Sequence, residues 1–314
     1  MKKVIFMGTP DFAVPILEKL VESPYEVVLV VTQPDRPKGR KRILTPSPVK
    51  QAAIEQHIPV FQPEKIKDEY TEILKYNADI IITAAFGQIL PQALLDAPTH
   101  GSINVHASLL PELRGGAPIH YAILQGKKTT GITIMYMTKE LDAGDMIAQQ
   151  SIEINDQDHV GTLHDKLSQV GADLLKSTLP SIFAGTHTVT PQDYEQATYA
   201  PNVKRELERI DWTQSNTKVY NHIRGLHPWP VAYTTHNQER LKIWWAVCED
   251  KEYPEKTPGT IVDVNKEAGK LSVVCGNQKA VSLTSIQLAG KKRMDVAAFL
   301  KGNPEEFQIG QVLE

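Results

Sequence analysis

Apolar runs and amphipathic segments alternate along the first two-thirds of the chain. Short apolar runs, which predict strands, lie at residues 4–7, 26–32, 79–86, 101–106, 131–138 and 146–154. Between them, apolar residues recur at helical spacing at residues 12–21, 65–76 and 161–179. Thr9 and Pro10 are the residue types expected at the N-cap and first position of the first helix. This alternation predicts an α/β domain whose mostly parallel sheet is covered by helices on both faces.

The alternation stops at residues 185–202, which are rich in Thr, Gln and Pro. We predict a linker at 189–206 between a first domain at 1–188 and a second at 207–314. The second domain has a helical segment at 215–224 and five short strand-like segments at 231–236, 239–248, 259–265, 270–275 and 279–288. Five short strands separated by Gly, Pro and Asn turns predict a small β-barrel resembling the oligonucleotide-binding (OB) type.

Composition narrows the class of protein. The 314 residues are 41% hydrophobic and 23% charged with a net charge of −3, so the chain is neither disordered nor a uniformly basic nucleic-acid binder. The two cysteines, Cys248 and Cys275, form neither a disulfide scaffold nor a zinc motif, and we expect no metal. The first apolar run is too short for a signal peptide, and no stretch approaches the roughly 20 apolar residues of a membrane span. We therefore expect a cytoplasmic protein, away from membranes, and a monomer.

The first strand–helix turn carries a single glycine, Gly8, instead of the glycine-rich fingerprint of a dinucleotide site. Asp11 would also place a negative charge where a phosphate should bind. We therefore expect no nicotinamide cofactor.

Polar residues at the end of the fourth predicted strand form the strongest candidate for a catalytic site. Asn104 and His106 are two residues apart, so both side chains project from one face of the strand. Strand ends at the carboxyl edge of a parallel sheet are where ligands bind in open α/β folds. An amide can stabilise an oxyanion and an imidazole can accept a proton, a combination that suits acyl transfer. Ser108 is a possible nucleophile, although no nucleophile-elbow glycines flank it.

An acidic turn at residues 141–145, with the sequence LDAGD, follows the fifth predicted strand at the same edge. One of its carboxylates could orient the imidazole and favour its charged form. The pattern itself leaves both Asp142 and Asp145 possible.

These segments resemble the folate-dependent formyltransferases. The resemblance rests on NVHASLLP at residues 104–111 and on LDAGD at residues 141–145. Further stretches extend it over the whole chain and are similar to the members that act on initiator tRNA. These stretches are FMGTPDF at 6–12, TQPDRP at 32–37, GR at 39–40, PSPVK at 46–50, IDW at 210–212, PWP at 228–230 and QLAGKK at 287–292. The resemblance implies a Rossmann-like formyltransferase fold followed by the OB-like domain.

The resemblance also implies an activity, namely transfer of a formyl group from 10-formyltetrahydrofolate to the α-amino group of methionine on initiator tRNA. The family's catalytic residues match Asn104, His106 and Asp142, which selects Asp142 over Asp145. The expected folate-binding residues are Ser108, Leu109, Leu110, Pro111, Phe86, Gly87, Ile89 and Leu90.

Basic residues provide the expected tRNA contacts. Five of them lie within seven positions, at Arg36, Lys38, Arg40, Lys41 and Arg42, and prolines at 34, 37, 46 and 48 bound the run. We predict a long mobile loop there, with Arg40 matching the family's important arginine. Arginine suits phosphates and unstacked bases. Lys291, Lys292 and Arg293 are candidates for a second, phosphate-directed surface.

Two other functions remain open from the sequence. The first is the same chemistry on a small amine, such as glycinamide ribotide or an amino-sugar nucleotide, which would not require the basic run. The second is a non-catalytic RNA-binding protein on the same scaffold, for which an intact catalytic triad would be unnecessary.

Overall fold

The computed structural model describes residues 1–39 and 41–314, and this part of the chain divides into two compact units. The first unit comprises Met1–Pro118, Thr129–Glu153 and His164–Pro201. The second comprises Ile119–Lys128, Ile154–Leu163 and Asn202–Glu314. The sequence predicted that each domain is one continuous stretch of the chain, whereas each unit is assembled from three segments. Residues 189–201 of the predicted linker belong to the first unit. Regular spacing of apolar residues predicts a helix or a strand, but it does not show which unit that element packs against.

Helices and strands are interspersed along the described chain up to Ala184. In order they are β1 (Lys3–Gly8), α1 (Val14–Val21), β2 (Glu26–Val31), β3 (Arg36–Lys38), β4 (Ile43–Thr45), α2 (Pro48–Glu55), β5 (Val60–Phe61), α3 (Ile66–Glu69), α4 (Thr71–Leu74), β6 (Ile80–Ala84), α5 (Gln92–Leu95), β7 (Ser102–His106), α6 (Pro118–Leu124), β8 (Thr129–Tyr136), β9 (Met146–Glu153) and α7 (Val160–Ala184).

Seven of these strands form one sheet in the order β5-β2-β1-β6-β7-β8-β9. Strands β5, β2, β1, β6 and β7 pair parallel with their neighbours in this order. Strand β8 pairs antiparallel with β7, and β9 pairs antiparallel with β8. The six predicted strands are therefore confirmed as β1, β2, β6, β7, β8 and β9. Residues 4–7 of β1 are all buried, as expected for a central strand covered on both faces.

Two local predictions for this unit need correction. Thr9 does not cap the first helix, because its hydroxyl donates to the backbone oxygen of Phe86 at 3.0 Å. The chain instead enters α1 through a 3₁₀ turn at Asp11–Ala13 that has no side-chain cap. The predicted helix at 65–76 is two short helices, α3 and α4.

The second unit contains an antiparallel sheet and two helices in its last segment. Its elements from Asn202 onward are α8 (Asn216–Gly225), β10 (Tyr233–His236), β11 (Glu239–Glu252), β12 (Ile261–Asn265), β13 (Lys270–Val274), β14 (Lys279–Leu288), β15 (Met294–Asp295) and α9 (Val296–Gly302). The strand order is β10-β11-β14-β13-β12, with β15 paired to β14. All five predicted strands are thus present.

The last residues of the chain join the two edge strands of this sheet. Thr235 of β10 exchanges two backbone hydrogen bonds with Glu314, at 2.6 and 3.0 Å. On the other edge, the backbone nitrogen of Ile261 donates to the oxygen of Gln311 at 2.8 Å, and that of Leu313 donates to Gly259 at 2.9 Å. These bonds pair part of each sheet edge, which would otherwise present more unpaired backbone groups.

Across the two described stretches, no helix has both the length and the apolar character needed to cross a membrane.

Candidate active site

Asn104 and His106 lie at the carboxyl end of β7, as the sequence predicted. Thr83, directly opposite Asn104 in the register of the parallel neighbour β6, donates its hydroxyl to Asn104 Oδ1 at 2.8 Å. This bond uses Oδ1 as the acceptor, so the Nδ2 group of the amide is the donor that can serve a developing oxyanion.

His106 is buried, and its two ring nitrogens have different surroundings. Nε2 is 3.1 Å from the backbone oxygen of Leu113. A carbonyl oxygen can only accept a hydrogen bond, so Nε2 carries the hydrogen in the neutral ring. Nδ1 is then the basic nitrogen, and it lies 3.7 Å from Asp142 Oδ2. A proton taken up at Nδ1 would therefore face a carboxylate.

The structure distinguishes the two aspartates that the acidic turn left open. The Asp142 side chain is only 11% exposed and faces His106, whereas Asp145 is exposed. Asp142 has a φ of 49°, in the left-handed region, which Asp tolerates better than most residues. Its Oδ2 also accepts a hydrogen bond from the backbone nitrogen of Gly115 at 2.8 Å. The turn is tightly packed, because a Cβ added at Gly144 would lie 2.0 Å from the Tyr136 oxygen.

A short segment at residues 113–115 contacts both ionisable groups, and sequence reasoning missed it. Leu113 provides the carbonyl for His106, and Gly115 provides the N–H for Asp142. Backbone bonds between Arg114 and residues 198 and 200 hold this segment, at 2.8 and 2.7 Å. A charged residue followed by two glycines, at 114–116, was the only available signal.

The predicted folate segment at 108–111 is fastened to the sheet. The hydroxyl of Thr133 donates to the Ser108 oxygen at 2.7 Å and accepts from the Leu110 nitrogen at 3.1 Å. The Ser108 hydroxyl donates to the Glu112 oxygen at 2.6 Å, an interaction with main chain and not with His106. Ser108 and Leu110 are buried, while Leu109 and Pro111 are partly exposed. A nucleophilic Ser108 is therefore not favoured.

The second folate segment follows β6, the parallel neighbour of β7. Its Phe86 and Leu90 are buried, whereas Gly87 is exposed and Ile89 is 79% exposed. The Phe86 oxygen accepts from the Thr9 hydroxyl at 3.0 Å and from Gln33 Nε2 at 3.1 Å. Both predicted folate segments thus leave the sheet at the same edge, with Gly87 and Ile89 turned to the surface.

The basic run forms a hairpin in place of the predicted loop. Strands β3 and β4 pair antiparallel, with Arg36 opposite Thr45 and Lys38 opposite Ile43. Pro37 is compatible with an edge pairing of this kind. Arg36 forms an ion pair with Glu64 at 2.7 Å, and Lys41 and Arg42 are exposed. Arg40 lies outside the described residues.

Of the basic residues predicted in the second unit, Lys291, Lys292 and Arg293 are all exposed. The Arg293 guanidinium lies 4.7 Å from the centroid of the Trp244 ring, and its Nε donates to Ser285 Oγ at 2.9 Å. A cation held on an aromatic face is partly immobilised while its remaining donors stay accessible.

Within residues 1–39 and 41–314, no three His, Cys, Asp or Glu side chains are grouped so that they could hold a metal ion. The site just described consists of an amide, an imidazole and a carboxylate at one sheet edge, a set suited to acyl transfer without a nucleophilic side chain.

Family models agree with this class. A model described as formyl transferase matches residues 1–179, and one described as formyl transferase, C-terminal domain, matches residues 202–304. The chain belongs to the formyltransferase family, which confirms the resemblance drawn from the sequence.

Individual proteins similar to this chain have more specific names than the family models. The methionyl-tRNA formyltransferase of Geobacillus sp. (strain WCH70) is 58% identical, covering 100% of this chain and 98% of that protein. The enzyme of the same name from Bacillus subtilis (strain 168) is also 58% identical over the same shares. Among solved structures, the N-formyltransferase of Helicobacter canadensis, in complex with folinic acid and dTDP-3-aminofucose, has a TM-score of 0.69. It is 18% identical and covers 90% of this chain and 99% of its own, which shows a shared fold.

Proposed function

We propose that the protein transfers the formyl group of 10-formyltetrahydrofolate to the α-amino group of methionine on initiator tRNA. The observation that carries this proposal is the match to methionyl-tRNA formyltransferases over the full length of the chain, at 58% identity. The arrangement of Asn104, His106 and Asp142 supplies the groups that the chemistry needs.

In the mechanism we propose, the neutral amine attacks the formyl carbon directly. The formyl oxygen becomes an oxyanion, which the Asn104 amide stabilises, an effect typically contributing about 10²–10³-fold. The attacking nitrogen loses a proton to His106 Nδ1. The tetrahedral intermediate then collapses to the formamide as the bond to N10 of the folate breaks. N10 takes up the proton that His106 holds, which forms tetrahydrofolate and returns His106 to its neutral form.

Proton removal is the step in which His106 and Asp142 act together. An α-amino group with a pKa of about 7.7–8.0 is mostly protonated at pH 7, so only its neutral fraction attacks. General-base catalysis of this kind contributes about 10²–10⁴-fold. The imidazolium that results has the Asp142 carboxylate 3.7 Å from its Nδ1.

We further propose that the segments 86–90 and 108–111 bind the folate, and that the basic hairpin and the residues at 291–293 contact tRNA. Glycine and main-chain groups at a sheet edge can read the edge of a pterin ring, and an apolar lining can hold it. Exposed Lys41, Arg42, Lys291 and Lys292 suit phosphates, which give affinity that depends on salt.

The decisive assay supplies labelled 10-formyltetrahydrofolate with either methionyl initiator tRNA or a small amine. We expect a labelled formyl group on the tRNA and little product from an amino-sugar nucleotide or glycinamide ribotide. Efficient formylation of a small amine, without reaction of the tRNA, would overturn the proposal. Binding of tRNA by a protein that transfers no formyl group would indicate a non-catalytic RNA-binding protein.

We also propose that the protein acts as a monomer in the cytoplasm, where initiator tRNA is charged. Light scattering should give a mass near 35.0 kDa. A mass of twice that value at micromolar concentration would contradict the monomer.

A further inference from the structure

We propose that Gln192 is a positioning residue for formyl transfer, acting by fixing the main chain of Asp142 in front of His106. The inference rests on the proposed function. It also concerns a segment that the sequence indicated only as linker.

The orientation of the Gln192 amide is determined by a buried arginine. Arg114 is 2% exposed and Gln192 is 5% exposed. Arg114 donates from Nε at 3.0 Å and from Nη2 at 2.7 Å to the same oxygen, Gln192 Oε1. A guanidinium has donors only, so the atom that faces it must be the amide oxygen. Nε2 is therefore on the other side of the amide, toward the acidic turn.

The Gln192 Nε2 group holds that turn at two points. It donates to the Asp142 oxygen at 2.9 Å and to the Gly144 oxygen at 2.7 Å. Asp142 is in the left-handed region, which Asp adopts more readily than most residues but which is still less favourable than the ordinary helical or extended backbone. Such a conformation persists only where surrounding contacts impose it, and Gln192 supplies two of those contacts.

Neighbouring residues therefore hold both the main chain and the side chain of Asp142. Gln192 binds its main chain, and the Gly115 nitrogen binds its Oδ2 at 2.8 Å. Gly115 directly follows Arg114, whose guanidinium binds Gln192. Gln192 and the segment 114–115 therefore bind each other, and both bind Asp142. Loss of the Gln192 bonds would let the turn relax and move the carboxylate relative to Nδ1. Misplacing a catalytic group by about 1 Å can cost 10²-fold.

Two substitutions remove the donor while keeping the length of the side chain. Gln192→Glu can still accept from Arg114 but presents oxygens to the two carbonyls, and Gln192→Met removes both kinds of bond. We expect kcat for tRNA formylation to fall about 10- to 100-fold in both variants. The KM values for tRNA and folate should change less than about threefold. The matched control is Gln196→Met, because Gln196 is exposed and donates to Asp193 Oδ2; its kcat should stay at the unaltered value.

A double variant separates positioning from general stability. Asp142→Gly removes the carboxylate, and glycine accepts the left-handed backbone without strain. If Gln192 acts through Asp142, adding Gln192→Glu to Asp142→Gly should lower kcat less than twofold further, since the two changes affect one unit. A full, multiplicative loss in the double variant would overturn the inference. So would unchanged kcat in both single Gln192 variants.

Amide hydrogen exchange gives a readout that does not depend on activity. The Gly115 N–H is bound to Asp142 Oδ2, so its protection reports the position of the carboxylate. We expect Gln192→Glu and Gln192→Met to speed exchange at Gly115, as Asp142→Gly should. Unchanged protection at Gly115 would overturn the inference, whether or not the protein formylates tRNA. Lack of activity on tRNA would by itself contradict only the proposed function.

Discussion

His106 is the residue on which the chemistry depends most directly. The Leu113 carbonyl fixes the hydrogen on Nε2 and so leaves Nδ1 for the reaction. We expect His106→Ala to lower kcat by about 10²–10⁴-fold while the affinity for folate, measured by fluorescence titration or calorimetry, changes little. His57→Ala is the matched control, because His57 is exposed at the end of α2 and should leave kcat unchanged. Equal losses of kcat and folate affinity would instead assign His106 a structural role.

The residues that could be found from sequence were those linked by a short local pattern. Asn104 and His106 are two positions apart on one strand, so the pleat places them together. Asp142 was narrowed to one turn, and only the resemblance selected it over Asp145. Arg114 and Gln192 could not be found, because their bond joins residues 78 positions apart. A contact between two distant segments produces no regular spacing of residues in either segment.

At the scale of elements, the predictions succeeded where burial imposes a pattern. Strands β1 and β6 are mostly apolar because both faces are covered, and the pattern follows directly. Strands β3 and β4 have no such pattern, because Arg36, Pro37, Ile43 and Leu44 are exposed and the two strands are joined by backbone pairing, which most residue types can form. Thr190 was missed for a similar reason, since it is exposed and its bridge to Met146 involves main chain alone.

The exposed tip of the hairpin provides a test of tRNA binding. Replacing Lys41 and Arg42 by glutamine removes two charges that are exposed in the structure. If each binds a phosphate, affinity for methionyl-tRNA should fall, and the slope of log K against log salt should decrease by about 0.7–0.9 for every phosphate that is no longer neutralised. Folate binding should not change. A Lys75→Gln variant serves as control, because Lys75 is exposed and paired with Glu72; a slope that changes equally in this control would contradict a specific role for the hairpin.

The turn between α8 and β10 makes the second unit sensitive to acid. Burial, with His159 and Arg293 nearby, lowers the pKa of His227 from 6.5 to about 4. Its Nδ1 has no hydrogen-bond partner among the described residues. The unfolded chain therefore binds a proton before the folded one does, so stability is complete above pH 6.5 and is lost as pH falls from 6.5 to 4. Between pH 7 and 5 this residue should cost about 2 kcal/mol.

Urea unfolding followed by tryptophan fluorescence measures this effect in the second unit, which contains all four tryptophans. His227→Phe keeps an aromatic ring against Trp244 and Trp245 but does not titrate, so its unfolding free energy should fall less between pH 7 and 5 than that of the unaltered protein. Some acid sensitivity should remain, because burial also lowers the pKa of His222. An acid dependence identical in the variant would contradict the assignment, whereas the exposed His57→Asn should retain the full dependence.

At the scale of the whole molecule, the order of segments along the chain differs from their grouping in space. The family models divide the chain into residues 1–179 and 202–304. The second unit, however, includes Ile119–Lys128 and Ile154–Leu163. Within that unit, buried Arg224 donates from Nη1 to the backbone oxygens of Asn155 at 3.1 Å and Asp158 at 2.9 Å. The Tyr220 hydroxyl donates to the Asp156 oxygen at 2.7 Å, so residues before the family boundary satisfy groups that follow it.

A fragment of residues 202–314 should therefore be much less stable than the same residues in the full chain. It retains the sheet and its closure by residues 311–314, and Arg224 Nε keeps its bond to Asn221 Oδ1, but Arg224 Nη1 and the Tyr220 hydroxyl lose their acceptors. Unsatisfied groups of this kind cost about 1–3 kcal/mol each, so for the two groups we expect the urea midpoint from tryptophan fluorescence to fall by the equivalent of about 2–6 kcal/mol. Arg224→Leu is the internal control, since it should destabilise the full chain strongly and the fragment less, where Nη1 already lacks its two acceptors. A fragment that unfolds at the same urea concentration as the full chain would show that residues 119–128 and 154–163 contribute nothing to the stability of the second unit.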